Sequence, residues 1–101
     1  MLDLSKVNQV VSKAASAMLK RPAGVKRVFS EPAADSEGQE ALRITIVLKR
    51  GSADKISGEQ ALDTLVGIGR ALREASEDRF PIIEYVTEEE LESELSGDTE
   101  S

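Results

Sequence analysis

The chain has 101 residues, a net charge of −6, and no His, Cys or Trp. Because imidazole and thiolate groups are the usual general bases, nucleophiles and transition-metal ligands, this composition argues against most enzymatic mechanisms and metal sites. A chain of this length supports one small core. We therefore expect a single-domain, non-enzymatic protein with no catalytic residue, metal or cofactor, and the absence of Cys is typical of a cytoplasmic protein.

The charge is distributed unevenly along the chain. Residues 1–27 contain six basic residues and one acidic residue, a net charge of +5. Residues 28–87 contain seven basic and eleven acidic residues, and residues 88–101 contain seven acidic residues and no basic one. The overall acidity therefore does not exclude a polyanionic partner for the first part of the chain.

The first predicted element is an amphipathic helix that begins near Leu4. Its apolar residues recur at helical spacing, and its lysines repeat every seven positions on the opposite side. The apolar residues are Leu4, Val7, Val11, Ala14 and Met18, and the lysines are Lys6, Lys13 and Lys20. Arg21, Pro22 and Gly24 should end the helix. Because charged residues interrupt this segment, we expect neither a signal peptide nor a membrane partner.

A β-hairpin is predicted next. Val25–Ser30 has the character of a short strand, and Leu42–Leu48 alternates between apolar and polar residues, which is the strongest strand pattern in the chain. The segment 31–40 between them is polar and is expected to be a loop. The two strands should pair in antiparallel orientation.

A second helix should follow, because Ser57 and Gln60 have the spacing of a capping box. We expect it to end near Ser76. Glycines at 67 and 69 predict a close contact with another helix or a kink. The residues expected to face the core are Ala61, Leu62, Leu65, Ile68, Gly69, Leu72 and Ala75.

The last predicted elements are a third strand, Pro81–Val86, and a short acidic helix that ends near Leu95. Thr87 and Glu90 repeat the capping-box spacing at the start of this helix. The predicted fold class is α+β, αββαβ(α), a three-stranded sheet with two helices packed on one face. The predicted organisation is a single α+β domain at 1–87, a short acidic helix at 88–95 and a disordered tail at 96–101.

The order of elements from Leu2 to Val86 resembles the type II KH-like topology, and among its members it is similar to ribosome-binding factor A. The resemblance implies an RNA-binding or ribosome-assembly role. No two glycines are three positions apart, so the GxxG loop of many KH domains is missing. Gly67 and Gly69 are a loose counterpart of the small-residue kink in ribosome-binding factor A, and no functional residue is carried over from the resemblance.

The candidate nucleic-acid-binding residues are the basic residues near the start of the chain, because phosphate binding requires clustered positive charge. They are Lys6, Lys13, Lys20, Arg21, Lys26 and Arg27. A solvated helix face explains the same pattern. The three aromatic residues, Phe29, Phe80 and Tyr85, are expected in the core or at its edge, which would leave none for base stacking.

Our preferred interpretation is a regulatory or adaptor protein that binds another protein, with the KH-like RNA-binding role as the alternative. The candidate contact surfaces are the exposed sheet face, the acidic helix with Leu91 and Leu95, and the loop with Arg79 and Phe80. The weak alternation of the outer strand also permits a homodimer formed by strand addition or by helix packing. The acidic end is suited to docking on a basic partner, to screening the protein's own lysines, or simply to solubilising the chain.

Overall fold

The computed structural model describes the backbone of residues 2–19, 24–49 and 56–97, and the side chains of these residues up to position 92. The predicted order of elements is confirmed, and the fold is α+β. The elements are α1 (Leu4–Met18), β1 (Val25–Ala34), β2 (Glu40–Leu48), α2 (Gly58–Glu74), β3 (Phe80–Thr87) and α3 (Glu88–Gly97). Two candidate basic residues, Lys20 and Arg21, lie outside the described residues, as does most of the predicted tail.

The three strands form one sheet in the order β1-β2-β3. β1 and β2 are antiparallel, whereas β2 and β3 are parallel because the chain returns through α2 before it enters β3. Ile46 in the central strand lies between Val28 of β1 and Tyr85 of β3. The residues at even positions of β2 therefore face the same side as Val28 and Tyr85.

The hairpin is longer than predicted. β1 continues to Ala34, so the expected loop at 31–40 is confined to 35–39. Pro32 is tolerated in the strand because β1 is an edge strand, where a missing N–H donor costs little. The carboxylate of Asp35 accepts hydrogen bonds from the backbone N–H groups of Glu37 and Gln39, both at 2.9 Å. This side chain organises the tight turn that permits the longer strands.

Helix α1 begins at Leu4, as predicted, after a side-chain cap, and it ends at Met18, before Arg21, Pro22 and Gly24, where its end was expected. The Asp3 carboxylate accepts a hydrogen bond from the backbone N–H of Lys6 at 2.9 Å. Val7, Val11 and Ala15 form its buried side. The cap and the buried side together explain why this short segment is helical.

The capping box at the start of α2 is confirmed. The Gln60 N–H donates to the Ser57 hydroxyl at 3.0 Å, and the Ser57 N–H donates to the Gln60 side chain at 3.1 Å. The helix ends at Glu74, and Ser76 has a positive φ of 71°. The N–H of Glu77 donates to the Leu72 carbonyl at 2.8 Å, which completes a Schellman motif.

The core lies between one face of the sheet and helices α1 and α2, as predicted. It contains Val7, Val11, Ala15, Leu19, Val28, Leu42, Ile44, Ile46, Leu48, Ile68 and Leu72. Of the two glycines in α2, Gly67 faces α1, because a Cβ there would lie 3.6 Å from Met18, whereas a Cβ at Gly69 would contact only Arg73 of the same helix. The prediction that Leu62 and Leu65 face the core is wrong, since both side chains are exposed.

Helix α3 follows β3 directly and packs against β3 and β2. Its predicted capping box is confirmed, since the Glu90 N–H donates to the Thr87 hydroxyl at 3.1 Å and the Thr87 N–H donates to the Glu90 carboxylate at 2.9 Å. The helix continues to Gly97, two residues beyond its predicted end at Leu95. Within the described residues, no helix has both the length and the apolar composition needed to cross a membrane.

Candidate functional site

Strand β3 has the sequence of an internal strand but lies at the edge of the sheet. The register with β2 places Pro81, Ile83 and Tyr85 on the helix-covered face and Phe80, Ile82 and Val86 on the open face. All six of these side chains stay partly or largely exposed to solvent. In contrast, β2 buries six of its nine residues. A strand that is apolar on both faces is typical of a position with neighbours on both sides, so β3 is incompletely covered.

Helix α2 presents exposed apolar residues beside this strand. Leu62 is 60% exposed, Val66 is 51% exposed and Leu65 is 36% exposed. At about 100° per residue these three side chains lie on one flank of the helix, and Gly67, which faces Met18 of α1, lies on another. The exposed flank of α2 therefore points away from α1.

An apolar groove of about 490 Å³ runs between α2 and β3. Phe80 lines it and is 61% exposed, so the prediction that Phe80 belongs to the core or its edge is wrong. The physical reason is that no described strand or helix covers the outer side of β3. We call this region the α2–β3 surface and define it by Leu62, Leu65, Val66, Phe80, Pro81, Ile82 and Ile83.

A second cavity, of about 250 Å³, lies between the start of α2 and the end of β3. Three of its polar side chains, Ser57, Thr87 and Glu90, are already bonded within the two capping boxes. Tyr85 also lines the cavity, and burial raises the pKa of its hydroxyl, an effect that the Thr64 hydroxyl partly opposes. The Ser57, Thr87 and Glu90 side chains are thus used to hold the starts of two helices.

Arg79 was predicted to contact a partner, but its side chain is engaged within the fold. Its Nε lies 2.9 Å from Glu77 Oε2, and its Nη2 donates to Glu77 Oε1 at 2.9 Å and to the Leu2 carbonyl at 2.8 Å. The Leu2 N–H donates to the same carboxylate at 2.7 Å. Hydrogen bonding to Arg79 lowers the pKa of Glu77 to about 2, against the opposing effect of burial. Of the predicted Arg79 and Phe80 loop, only Phe80 is available at the surface.

Some of the predicted basic residues meet at another site. Lys13, Lys26 and Arg27 line a polar groove between α1 and β1, whereas Lys6 lies on α1 outside this groove. The Arg27 guanidinium lies 5.6 Å from the centre of the Phe29 ring. Phe29 is 43% exposed, so its predicted place in the core or at its edge is also wrong. Phe29 lies on the open face of the sheet, opposite Thr45 of β2, which explains its exposure.

The acidic helix α3 lies beside this basic groove. The carboxylate of Glu88 is 4.0 Å from the Lys26 ammonium group. Leu91 is half-buried and lines a small cavity with Val47 and Arg27. Leu91, which was predicted to contact a partner, therefore packs against the rest of the fold. The side chain of Leu95, the other predicted contact residue of α3, lies outside the described residues.

Comparison with protein-family models, with curated proteins and with solved structures gave no significant match to this chain. The described residues also contain no group of three or more acidic side chains placed to hold a metal ion. The function is therefore inferred from the surfaces described above. The sequence did contain one sign of the α2–β3 surface, because Leu62 and Val66 widen the apolar side of α2 beyond what one sheet face covers.

Proposed function

We propose that this protein is a cytoplasmic, non-enzymatic interaction module that binds a protein chain through the α2–β3 surface, in a regulatory or adaptor role. One observation supports this proposal above the others. Three large apolar side chains, Leu62, Val66 and Phe80, are each more than half exposed and lie on the two elements that border one groove. Contiguous exposed apolar surface of this kind marks interaction sites in folded proteins.

The backbone of β3 adds a second component to this surface. An edge strand offers unpaired N–H and C=O groups to an incoming strand, and the neighbouring side-chain pockets supply apolar contacts. Full burial of a Leu or Phe side chain contributes roughly 1.5–3 kcal/mol. Burial of even part of Leu62, Leu65 and Phe80 would therefore add several kcal/mol to binding, before the cost of association is subtracted.

Site-specific photo-crosslinking in cells tests this proposal. The photoreactive residue p-benzoylphenylalanine would replace Leu62 or Phe80, and Ser5, which is exposed on α1, would serve as the control position. We expect adducts with a protein chain at positions 62 and 80 but not at position 5. The absence of adducts at both test positions, or equal adducts at all three positions, would contradict the proposal.

RNA binding is a second candidate function, supported by the groove between α1 and β1. Lys13, Lys26 and Arg27 line this groove. Arg27 also lies over the exposed Phe29 ring, which offers a stacking surface on the adjoining open face of the sheet. The nearby Glu88 carboxylate reduces the positive potential, which is the reason that this candidate ranks second.

The RNA candidate makes a prediction about single-stranded RNA and salt. A Lys13→Glu substitution should weaken the binding of a fluorescent oligouridine about tenfold and reduce the salt dependence of the Kd, because it removes one phosphate contact. Lys6→Glu, outside the groove, is the matched control and should have a smaller effect. Equal effects of the two substitutions would remove the groove from consideration.

A further inference from the structure

We infer that the α2–β3 surface binds a second copy of this chain, through antiparallel pairing of two β3 strands about a two-fold axis perpendicular to the sheet. This inference rests on the proposed function, because it names the partner of the same surface. The resulting dimer would contain one six-stranded sheet with four helices on one face.

The two edges of the sheet differ in how well they resist strand addition. β1 carries Pro32, the charged residues Lys26, Arg27 and Glu31, and a register irregularity between Val25 and Arg27. Proline, charge and bulges are the features that protect an edge strand from pairing. β3 has one proline, Pro81, next to its first residue, has only Glu84 as a charged residue, and pairs with β2 in regular register. β3 is therefore the less protected edge, and it borders the exposed apolar residues.

A specific register brings two β3 strands together without conflict. If Ile83 lies opposite Ile83 of the partner copy, Phe80 lies opposite Val86 and Glu84 lies opposite Ile82. Aromatic and β-branched side chains then pair across the strands, and the two Glu84 carboxylates do not lie directly opposite each other. The helix-covered faces of the two sheets also lie on the same side, because Ile83 faces the helices in each copy.

The charges on α2 are complementary under the same symmetry. The axis that pairs the β3 strands makes the two α2 helices antiparallel, and the exposed flank of each helix points toward the other copy. Two exposed acidic residues, Glu59 and Asp63, lie in the first half of α2. The exposed arginines, Arg70 and Arg73, lie in its second half, together with one exposed acidic residue, Glu74, at the last position of the helix. Glu59 and Arg73 are each seven positions from Val66.

With Val66 near the axis, Glu59 of one copy lies beside Arg73 of the other, and this pair forms twice in the dimer. The same arrangement brings Leu62, Leu65 and Val66 of both helices together between the charged ends. Charge pairs at the rim of an apolar contact determine the register and orientation of the partners. Because Glu59 and Arg73 lie at opposite ends of this flank of α2, the flank is complementary in charge to an antiparallel copy of itself.

The inference is tested by sedimentation of the purified full chain from about 1 to 500 µM. The chain mass is 10.9 kDa, so we expect a concentration-dependent shift toward twice this mass. Val66→Glu, at an exposed position, should raise the dimer dissociation constant at least tenfold. Ser5→Glu, exposed on α1, is the matched control and should leave it unchanged, with circular dichroism showing that both variants are folded.

Charge exchange gives a second test that does not depend on apolar residues. Arg73→Glu should weaken the dimer, and the double variant Glu59→Arg with Arg73→Glu should restore it, because the pair is re-formed with reversed signs. A chain that is monomeric at all concentrations, or a dimer that Val66→Glu leaves unchanged, would overturn the inference.

The two proposals fail in distinguishable ways. A monomeric chain whose positions 62 and 80 cross-link to a different protein would contradict the dimer and leave the proposed interaction module intact. A monomeric chain with no adducts at these positions would contradict both proposals. Adducts between two copies together with a concentration-dependent dimer would support both.

Discussion

The buried carboxylate of Glu77 should make stability depend on pH through a single side chain. Its side chain is fully buried and accepts three hydrogen bonds from Arg79, two from the guanidinium and one from the backbone N–H, each at 2.9 Å. It also accepts a hydrogen bond from the Leu2 N–H. These contacts lower the pKa of Glu77 from 4.5 to about 2. Because the pKa is lower in the folded state, Glu77 stabilises the fold fully above pH 4.5 and loses this contribution as the pH falls to about 2.

The size of the effect follows from the pKa shift. A lowering from 4.5 to about 2 corresponds to about 3 kcal/mol of the free energy of unfolding at neutral pH. Glu77→Gln removes the charge and keeps the shape, so we expect it to destabilise the protein by about 3 kcal/mol at pH 7. Below pH 2 the wild-type side chain is protonated, and the difference in the free energy of unfolding between the two proteins should nearly vanish.

Urea denaturation followed by circular dichroism at pH 7, 4 and 2 measures this difference directly. The other carboxylates are shared by both proteins, so their contributions to stability cancel in the comparison. Glu74→Gln, at an exposed position in the last turn of α2, is the control and should change stability little at any pH. A Glu77→Gln effect that is the same at pH 7 and pH 2, or smaller than about 1 kcal/mol at pH 7, would refute the assigned role of the ion pair.

Two further predictions concern the backbone of α2. Ser76 has a φ of 71°, a conformation that costs a non-glycine residue free energy, so Ser76→Gly should raise the free energy of unfolding by roughly 0.5–1 kcal/mol in urea denaturation. An unchanged or lower stability would contradict this account of the helix end. Gly67→Ala should also stabilise, by up to about 1 kcal/mol, because the new methyl group would lie at an ordinary contact distance of 3.6 Å from Met18. A lower melting temperature for this variant would show that the α1–α2 contact does not accept the methyl group.

The positions of the secondary-structure elements were predictable because local patterns determine them. Hydrophobic spacing locates α1, and the Ser57 and Thr87 capping boxes locate the starts of α2 and α3. The extension of β1 past Pro32 was not predictable, because it depends on β1 being an edge strand. Propensity alone assigns proline and polar residues to a loop, and strand order decides whether a strand tolerates them.

The candidate site was harder to predict than the fold. Periodicity identifies the apolar side of a helix but not how much of it the neighbouring elements cover, so Leu62 and Leu65 were assigned to the core. Exposure of Phe29 and Phe80 likewise depends on which faces of the sheet lack a covering helix. Arg79 appeared to be a surface residue because its partner at the chain start, Leu2, is 77 positions away in sequence.

The bonds between Leu2 and the Glu77–Arg79 pair affect how the protein should be labelled for experiments. They hold Leu2 beside Arg79. The next residue, Phe80, is the first residue of β3. Bulk added immediately before Leu2 would therefore lie next to the α2–β3 surface and obstruct whatever docks there. The other end of β3 leads into α3 instead. Affinity tags and fluorescent proteins are therefore better placed after α3 than before Leu2.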